Sequence, residues 1–306
     1  MKIGIVDLDT SHPQNWIPIE RELGHETVGV WDGGSVHPRE YVAQFAKEHY
    51  LGAVFDSLEE LAQAADCAII HGCDWDTHVE KARPFVEAGK SVLIDKPLAG
   101  TLRDLKQLVA WVKDGARITG GSSLRFCVET RDWLGQPVDE RGTPHTVLCG
   151  CGVDDFNYGI HAYSMLSGIM GPGIKSVRHL GGGVQHRIQV SWDNGALGFL
   201  VVGEVGTWLP FHATIVTEKT ITRFEADSGH LYRALLEKVC PYLAGETDRA
   251  PVSIETLIEP ELCALAARES WQNGDREVAL SELPEDGAGY DGALFATGYR
   301  AAKYGA

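Results

Sequence analysis

Six short apolar segments alternating with helical patterns fill the first 120 residues, and this alternation limits the fold more than any other feature. "KIGIVDL" (Lys2–Leu8) leads into a helical stretch from Pro13 to Leu23, and "ETVGVWD" (Glu26–Asp32) into one from Tyr41 to His49. "AVFDS" precedes Leu58 to Ala65, "DCAIIHG" (Asp66–Gly72) precedes His78 to Glu87, and "SVLIDKP" precedes Leu102 to Val112. "ARITGG" closes the series. Strands that are apolar throughout belong to a parallel sheet covered on both faces, and right-handed crossovers make it a doubly wound Rossmann-type sheet. Ligands of such sheets bind past the carboxyl ends of the strands. In this chain those ends carry Asp7 and Asp9, Asp32, His71 to Asp76, and Asp95 with Lys96.

After about residue 121 the texture changes to short alternating segments between turn signals, such as "PHTVLCGCGV", "VQHRIQVSW" and "PFHATIVTE". These predict a large, mostly antiparallel sheet, with helices over Gly159–Met170, Leu231–Leu243 and Thr256–Gln272 and a loosely structured last fifteen residues. The plan is a Rossmann-type domain over 1–120 and an α+β domain with one larger sheet over 121–306.

The 306 residues carry 43 acidic against 27 basic side chains, a formal charge of −16. That excess argues against a nucleic-acid or anionic-membrane partner. No apolar run reaches the roughly 18 residues of a membrane span, and Asp7 and Asp9 are foreign to a signal peptide. The seven cysteines form no C-x-x-C pair, consistent with reduced thiols in a cytoplasmic protein.

The opening stretch "KIGIVDLDTSHPQNW" runs from a strand into a helix where a dinucleotide fold places its glycine-rich turn, yet Asp7, Asp9 and Ser11 stand there instead of glycines. Glycines let the backbone approach a pyrophosphate seated on a helix N-terminus. Here the free N–H groups of that terminus, with the Thr10 and Ser11 hydroxyls, could still hold an anion, while the two aspartates oppose it. Asp9 could instead meet ribose hydroxyls. Asp32, about 25 residues after the first strand, suits the adenosine ribose, and with no arginine directly behind it NAD is preferred over NADP. The plainer reading of Asp32 is a turn residue before glycines.

Other residues suggest chemistry. Lys96 follows a strand end and points toward the ligand crevice, where a partly desolvated ammonium can polarise a reacting hydroxyl. His161 lies four residues after Asn157, so both could share the start of one helix, the imidazole accepting an alcohol proton and the amide orienting it. Arg125 could grip a substrate carboxylate, or simply form a structural ion pair. Trp75, at a strand end, is a pocket wall. Asp7, Asp9, His12, His71, Asp74, Asp76 and His78 bring oxygen and nitrogen donors to one crevice, but no closed metal signature is present and no metal is assigned.

Four segments in register resemble the glucose–fructose oxidoreductase/inositol dehydrogenase (Gfo/Idh/MocA) family: "THVEKARPFVEAGKSVLIDKPLAGTLRDLKQLV" (Thr77–Val109), "SSLRF" (Ser122–Phe126), "NYGIHAYSML" (Asn157–Leu166) and "APVSIETLIEPELCALAARESWQNGDREVAL" (Ala250–Leu280). The resemblance spans nearly the whole chain. It implies two domains, NAD on the first, a carbohydrate-like substrate, and a homodimer or homotetramer built through the second domain's sheet. Lys96 and His161 then take the catalytic roles, with Asn157 where the family has an aspartate. Asp9, Thr10, Ser11, His12, Asp32, Asp74, Trp75, His78, Asp95 and Lys96 become the cofactor contacts, and Arg125, Asn157 and His161 the substrate contacts. The implied activity is oxidation of a secondary alcohol of a sugar, polyol or sugar acid. The alternatives are a relative that exchanges no cofactor, acting as isomerase, epimerase or lyase with or without a metal, and a non-catalytic ligand sensor.

Overall fold

The strand Lys2–Val6 (β1) buries every residue after Lys2, as an apolar run flanked on both faces must. It pairs in parallel with Glu26–Trp31 (β2) and with Cys67–Ile70 (β4), the latter aligning Ile3 with Cys67 and Val6 with Ile70. Ala53–Val54 (β3), Ser91–Ile94 (β5) and Ile118–Gly120 (β6) complete a parallel sheet of order β3-β2-β1-β4-β5-β6. The order reverses between β1 and β4, which makes that crevice the switch point at which ligands bind. Gly120 is obligatory at the β5–β6 junction. Its φ is +139°, and a Cβ there would come within 1.9 Å of the Ile94 carbonyl oxygen.

The crossover helices are His12–Glu22 (α1), Arg39–Glu48 (α2), Leu58–Ala64 (α3), His78–Glu87 (α4) and Leu102–Lys113 (α5). Pro13 stands in the first turn of α1, where the missing N–H costs nothing. Ser57 and Thr101 cap α3 and α5 by accepting from the N–H groups of Glu60 and Asp104. Ile3, Ile5, Ile69, Ile70, Leu93 and Ile94 are fully buried, each contributing roughly 1.5–3 kcal/mol by the area rule.

The computed structural model describes residues 1–305, which divide into two compact units. The first holds 1–121 and also 236–254 and 288–306, so it is larger than a domain of residues 1–120. Polar anchors explain the additions: the Ser91 hydroxyl donates to the Leu243 carbonyl at 2.8 Å, and Arg117 donates to the carbonyls of Tyr242 and Thr247 at 3.2 and 2.9 Å.

The second unit comprises 122–235 and 255–287. After the helices Val128–Gly135 (α6) and Val138–Arg141 (α7) come Pro144–Gly150 (β7), the helix Gly159–Met170 (α8), and the strands Ile174–His179 (β8), His186–Trp192 (β9), Leu197–Val202 (β10), His212–Thr217 (β11) and Ile221–Glu225 (β12). Leu231–Leu243 (α9) carries the chain from one unit to the other. Ile254–Leu257 (α10), Glu259–Gln272 (α11) and Val278–Ala279 (β13) follow. The sheet order is β12-β11-β7-β10-β9-β8-β13, and all its pairings are antiparallel except β7 with β10. This is the mostly antiparallel sheet the alternating segments predict.

The last fifteen residues depart from expectation. Gly292–Tyr304 is a helix (α12), capped by the Asp291 side chain accepting from Leu294 N–H at 2.7 Å. All seven cysteines are buried free thiols. Among the described residues no helix is long and apolar enough to cross a membrane.

Candidate active site

In the first unit the strand ends around the switch point converge as topology requires. The ladder runs one step past the strands: His71 N–H donates to the Val6 carbonyl and Asp95 N–H to the Ile70 carbonyl, both at 2.9 Å. Since Ile70 pairs with Ile94, His71 and Asp95 are the next partners in register and lie side by side. His12, at the start of α1, completes a trio. Its Nδ1 is in direct contact with Asp95 Oδ2, and His71 Nδ1 lies 3.2 Å from the same oxygen. The other Asp95 oxygen accepts the Lys96 N–H at 2.7 Å. Burial would push the Asp95 carboxyl up, but the His12 and His71 imidazoles outweigh it and hold the group well below the usual carboxylate range. Burial pushes His71 down, toward neutral imidazole. Trp16 lies parallel to the His12 ring at 5.7 Å and meets His71 edge-on at 4.9 Å, which fixes both rings.

The glycine-poor turn is now explained. Asp7 adopts a φ of 65°, and its buried carboxylate accepts from Lys81 Nζ at 2.6 Å and from Gly33 N–H at 3.0 Å. It fills the space against Gly72, where a Cβ would meet Asp7 Oδ2 at 2.7 Å. Asp9 accepts from Cys73 N–H at 2.8 Å, and its other oxygen is buried without a hydrogen-bond partner. Burial, reinforced by the Asp7 charge, raises Asp9 to about 7. Asp32 accepts from Leu8 and Gly34 N–H at 2.9 and 2.7 Å. Thr10 accepts from His12 N–H at 3.2 Å, while Ser11, the residue that caps α1 in position, makes no side-chain cap.

The carboxyl ends of β2 and β4 are covered by the chain itself. Gly292 and Ala293 N–H donate to Asp76 Oδ2 at 2.8 and 3.3 Å, and the start of α12 sits so tightly that a Cβ on Gly292 would lie 2.7 Å from Trp75 N. Trp75 donates from Nε1 to the Tyr290 carbonyl at 2.8 Å and packs on Phe295 with ring centroids 5.0 Å apart. Ala296 completes a small core with Val36 and Cys73. Arg300 donates to the Gly34 carbonyl at 3.0 Å, and Lys303 Nζ to the Asp9 carbonyl at 2.9 Å. The open space beside Asp32 is a cavity of about 200 Å³, below the roughly 300–1,000 Å³ of ordinary ligand sites.

In this arrangement α12 lies where a dinucleotide crossing the switch point would run, and several residues expected to contact a cofactor already have partners within the chain. Asp32 is spent on backbone N–H groups. Asp74 caps the turn Trp75–Thr77 by accepting from Asp76 N–H at 3.2 Å, and Trp75 is a wall for α12. His78 is buried, its ring nitrogens set against the carbonyls of Leu98 and Gly72 at 3.2 and 2.9 Å, which ties the β4 and β5 loops together. His12 and Asp95 face each other. Lys96 is buried at the carboxyl end of β5.

In the second unit, Asn157 lies in the turn before α8, and His161 in the first turn of that helix. His161 Nδ1 lies 2.6 Å from Ser122 Oγ, which already accepts Leu124 N–H at 3.1 Å. In the tautomer that donates from Nδ1, Nε2 is left as the acceptor a base needs. Tyr158 and Phe211 flank the ring at 5.8 and 5.0 Å. Ser122 escaped sequence reasoning because nothing local ties it to a histidine 39 residues away; the "SSLRF" segment was its only signal. Arg125 is buried and donates to Ser167 Oγ and the Thr256 carbonyl, both at 3.2 Å, which braces α8 against α10. Burial lowers it to about 10, with Glu261 and Glu259 resisting.

The family model described as "Oxidoreductase family, NAD-binding Rossmann fold" matches residues 2–119. Over 118 residues, 38% of this chain, the sequence is 29% identical to 1,5-anhydro-D-fructose reductase of Ensifer adhaerens, of which 34% is covered. The chain spans about a third or less of the length of the curated relatives it matches. Among solved structures, a protein described as a probable dehydrogenase of Thermotoga maritima superposes with a TM-score of 0.80 at 16% identity, covering 93% of this chain and 100% of that one. Myo-inositol dehydrogenase of Lactobacillus casei, in complex with NAD(H) and myo-inositol, superposes with a TM-score of 0.74 at 15% identity, covering 91% and 96%. At such identities the likeness is one of fold. Residues 2–119 thus match the NAD-binding domain of the Gfo/Idh/MocA oxidoreductase family, and over its whole length the chain shares the fold of these solved structures.

Proposed function

We propose that the protein acts on a hydroxyl-bearing carbon of a sugar, polyol or sugar acid, with Lys96 and His161 handling the hydroxyl proton. The observation that carries this reading is Lys96, buried at the carboxyl end of β5 directly after an anionic carboxylate, a position from which an ammonium can polarise an alcohol. His161, oriented through Nδ1 by Ser122, supplies the base, and Asn157 before α8 is a neutral substrate contact. The carbohydrate class is supported by relatives named for 1,5-anhydro-D-fructose and myo-inositol. As an oxidoreductase the enzyme would oxidise a secondary alcohol with NAD, which the family model and the NAD-bound relative support, and the preference over NADP rests on Asp32 having no arginine directly behind it. For that to occur, α12 has to leave the ends of β2 and β4. The open face of the second unit's sheet, where Leu148, Phe199 and Thr214 are half-buried cross-strand neighbours, suits a homodimer or homotetramer.

A second reading is favoured by α12 and by the buried Asp7 and Asp9: an isomerase, epimerase or lyase that uses the same pair without exchanging a dinucleotide. Two measurements separate the readings. Tryptophan-to-NADH energy transfer reports binding of a dinucleotide to the purified chain. Deuterium uptake from D2O into a panel of polyols, ketoses and sugar acids reports carbon–proton exchange. Lys96→Ala and His161→Ala should each lower kcat/KM on any accepted substrate by about 10²–10⁴ with little change in Tm. Unimpaired turnover in either variant would overturn the assignment of the pair.

A further inference from the structure

We propose that His12, His71 and Asp95 form a binding site for one divalent first-row transition-metal ion. Two imidazoles and a carboxylate are the mixed nitrogen–oxygen set that zinc, iron(II) and manganese(II) accept, and one donor atom from each lies within 4.8 Å of the others. Metal–ligand bonds near 2.0–2.2 Å fit inside that spacing once the His12–Asp95 contact opens by roughly an ångström. His12 is the ligand able to make that shift: its side chain is 13% exposed, against 4% for Asp95 and none for His71.

The construction around the trio argues for a site rather than a chance contact. His71 and Asp95 directly follow β4 and β5, and His12 opens α1, the helix after β1, so the three meet at the switch point where such folds bind their ligands. Both histidines face a single oxygen, Asp95 Oδ2, so two imidazoles and one carboxylate already converge on one point. His71 Nε2, the ring nitrogen turned away from Asp95, is buried without a hydrogen-bond partner, so the ring is held by its Asp95 contact and by Trp16. Outer-sphere support is in place as well, since Lys96 N–H orients the second Asp95 oxygen and Trp16 fixes both rings. Three protein ligands leave coordination positions for water or a substrate oxygen, the pattern of a catalytic rather than a closed structural site. Asp74, Asp76 and His78, donors in the same sequence stretches, are excluded because the turn, α12 and backbone carbonyls already engage them.

The inference is independent of either functional reading, and its test reads binding, not turnover. The full chain is stripped with a chelator and titrated with Co2+ and with Zn2+, following cobalt ligand-field absorption, ion stoichiometry and Tm. The expected result is one ion per chain, with affinity reduced at least tenfold in His12→Gln and in Asp95→Asn and unchanged in His145→Gln, an exposed histidine elsewhere. The inference is overturned if no stoichiometric ion binds, the trio then being a hydrogen-bonded cluster, or if His12→Gln binds as tightly as the unaltered chain. Should Asp95→Asn fail to fold, His12→Gln alone decides, because its side chain lies at the crevice surface.

Discussion

Lys303, three residues from the carboxyl terminus, donates from Nζ to the backbone carbonyl of Asp9 at 2.9 Å, across 294 positions of sequence. This bond pins the end of α12 onto the turn that follows β1. A helix held there competes with any ligand of the same groove, and its grip is a few contacts: Phe295 on Trp75, Ala296 on Cys73, and the polar anchors of Arg300 and Lys303. Replacing Phe295 and Lys303 together with alanine should raise NADH affinity about tenfold, a change of about 1.4 kcal/mol. Energy transfer from tryptophan measures it. Equal affinity in both proteins would show that α12 and the dinucleotide do not compete.

Asp7 and Lys81 form an ion pair at 2.6 Å in which neither side chain is more than 8% exposed. Removing one partner strands the other charge. Lys81→Met should destabilise the fold by about 3–5 kcal/mol, read as a lower urea midpoint. The paired change Asp7→Asn/Lys81→Met should recover a large part of that loss. A Lys81→Met midpoint close to the parent's would mean that water already reaches the pair.

Glu20 is buried on α1, accepts from the Thr27 hydroxyl at 3.0 Å, and is pushed up to about 7 by burial. A carboxyl whose folded pKa is raised stabilises fully below its unfolded value near 4.5 and loses that contribution as pH climbs through 7. Glu20→Gln keeps an oxygen for Thr27 and removes the titration. It should match the parent protein near pH 4.5 and exceed it at pH 8 by on the order of 1–3 kcal/mol. Chemical denaturation at both pH values measures the difference, and parallel curves for the two proteins would contradict it.

On the second unit's sheet, Phe199 pairs with Leu148 across β10 and β7, on the face that alternation leaves half-buried. Phe199→Glu should shift the chain toward monomer in light scattering while leaving Tm within a few degrees. An unaltered mass would place any assembly surface elsewhere.

The first sheet was legible because its strands are apolar throughout and separated by helical patterns of ordinary length; β1, β2, β4 and β5 need both faces covered whatever surrounds them. The alternation in β9, β10 and β11 marked the second sheet in the same way. The final helix was not legible. "PEDGAGYDG" reads as turn, and the buried residues of α12, Gly292 and Ala296, are too small to make an apolar stripe. The helix is stabilised by what it covers, Val36, Cys73 and Trp75, which lie more than 200 residues earlier.

The sequence alone therefore determined the class of sheet, the polar residues that stand at its strand ends, and the aspartates in place of glycines after β1, all consequences of local pattern. Tertiary structure decided which of those polar residues meet. Register between β4 and β5 sets His71 beside Asp95, and α1 delivers His12 to the same oxygen from 83 residues away. It also turned Asp32, Asp74, Trp75 and Arg125 inward as structural contacts. Periodicity fixes the face a residue occupies within its own element, whereas the partner it finds there depends on how distant elements pack, and no local pattern encodes that.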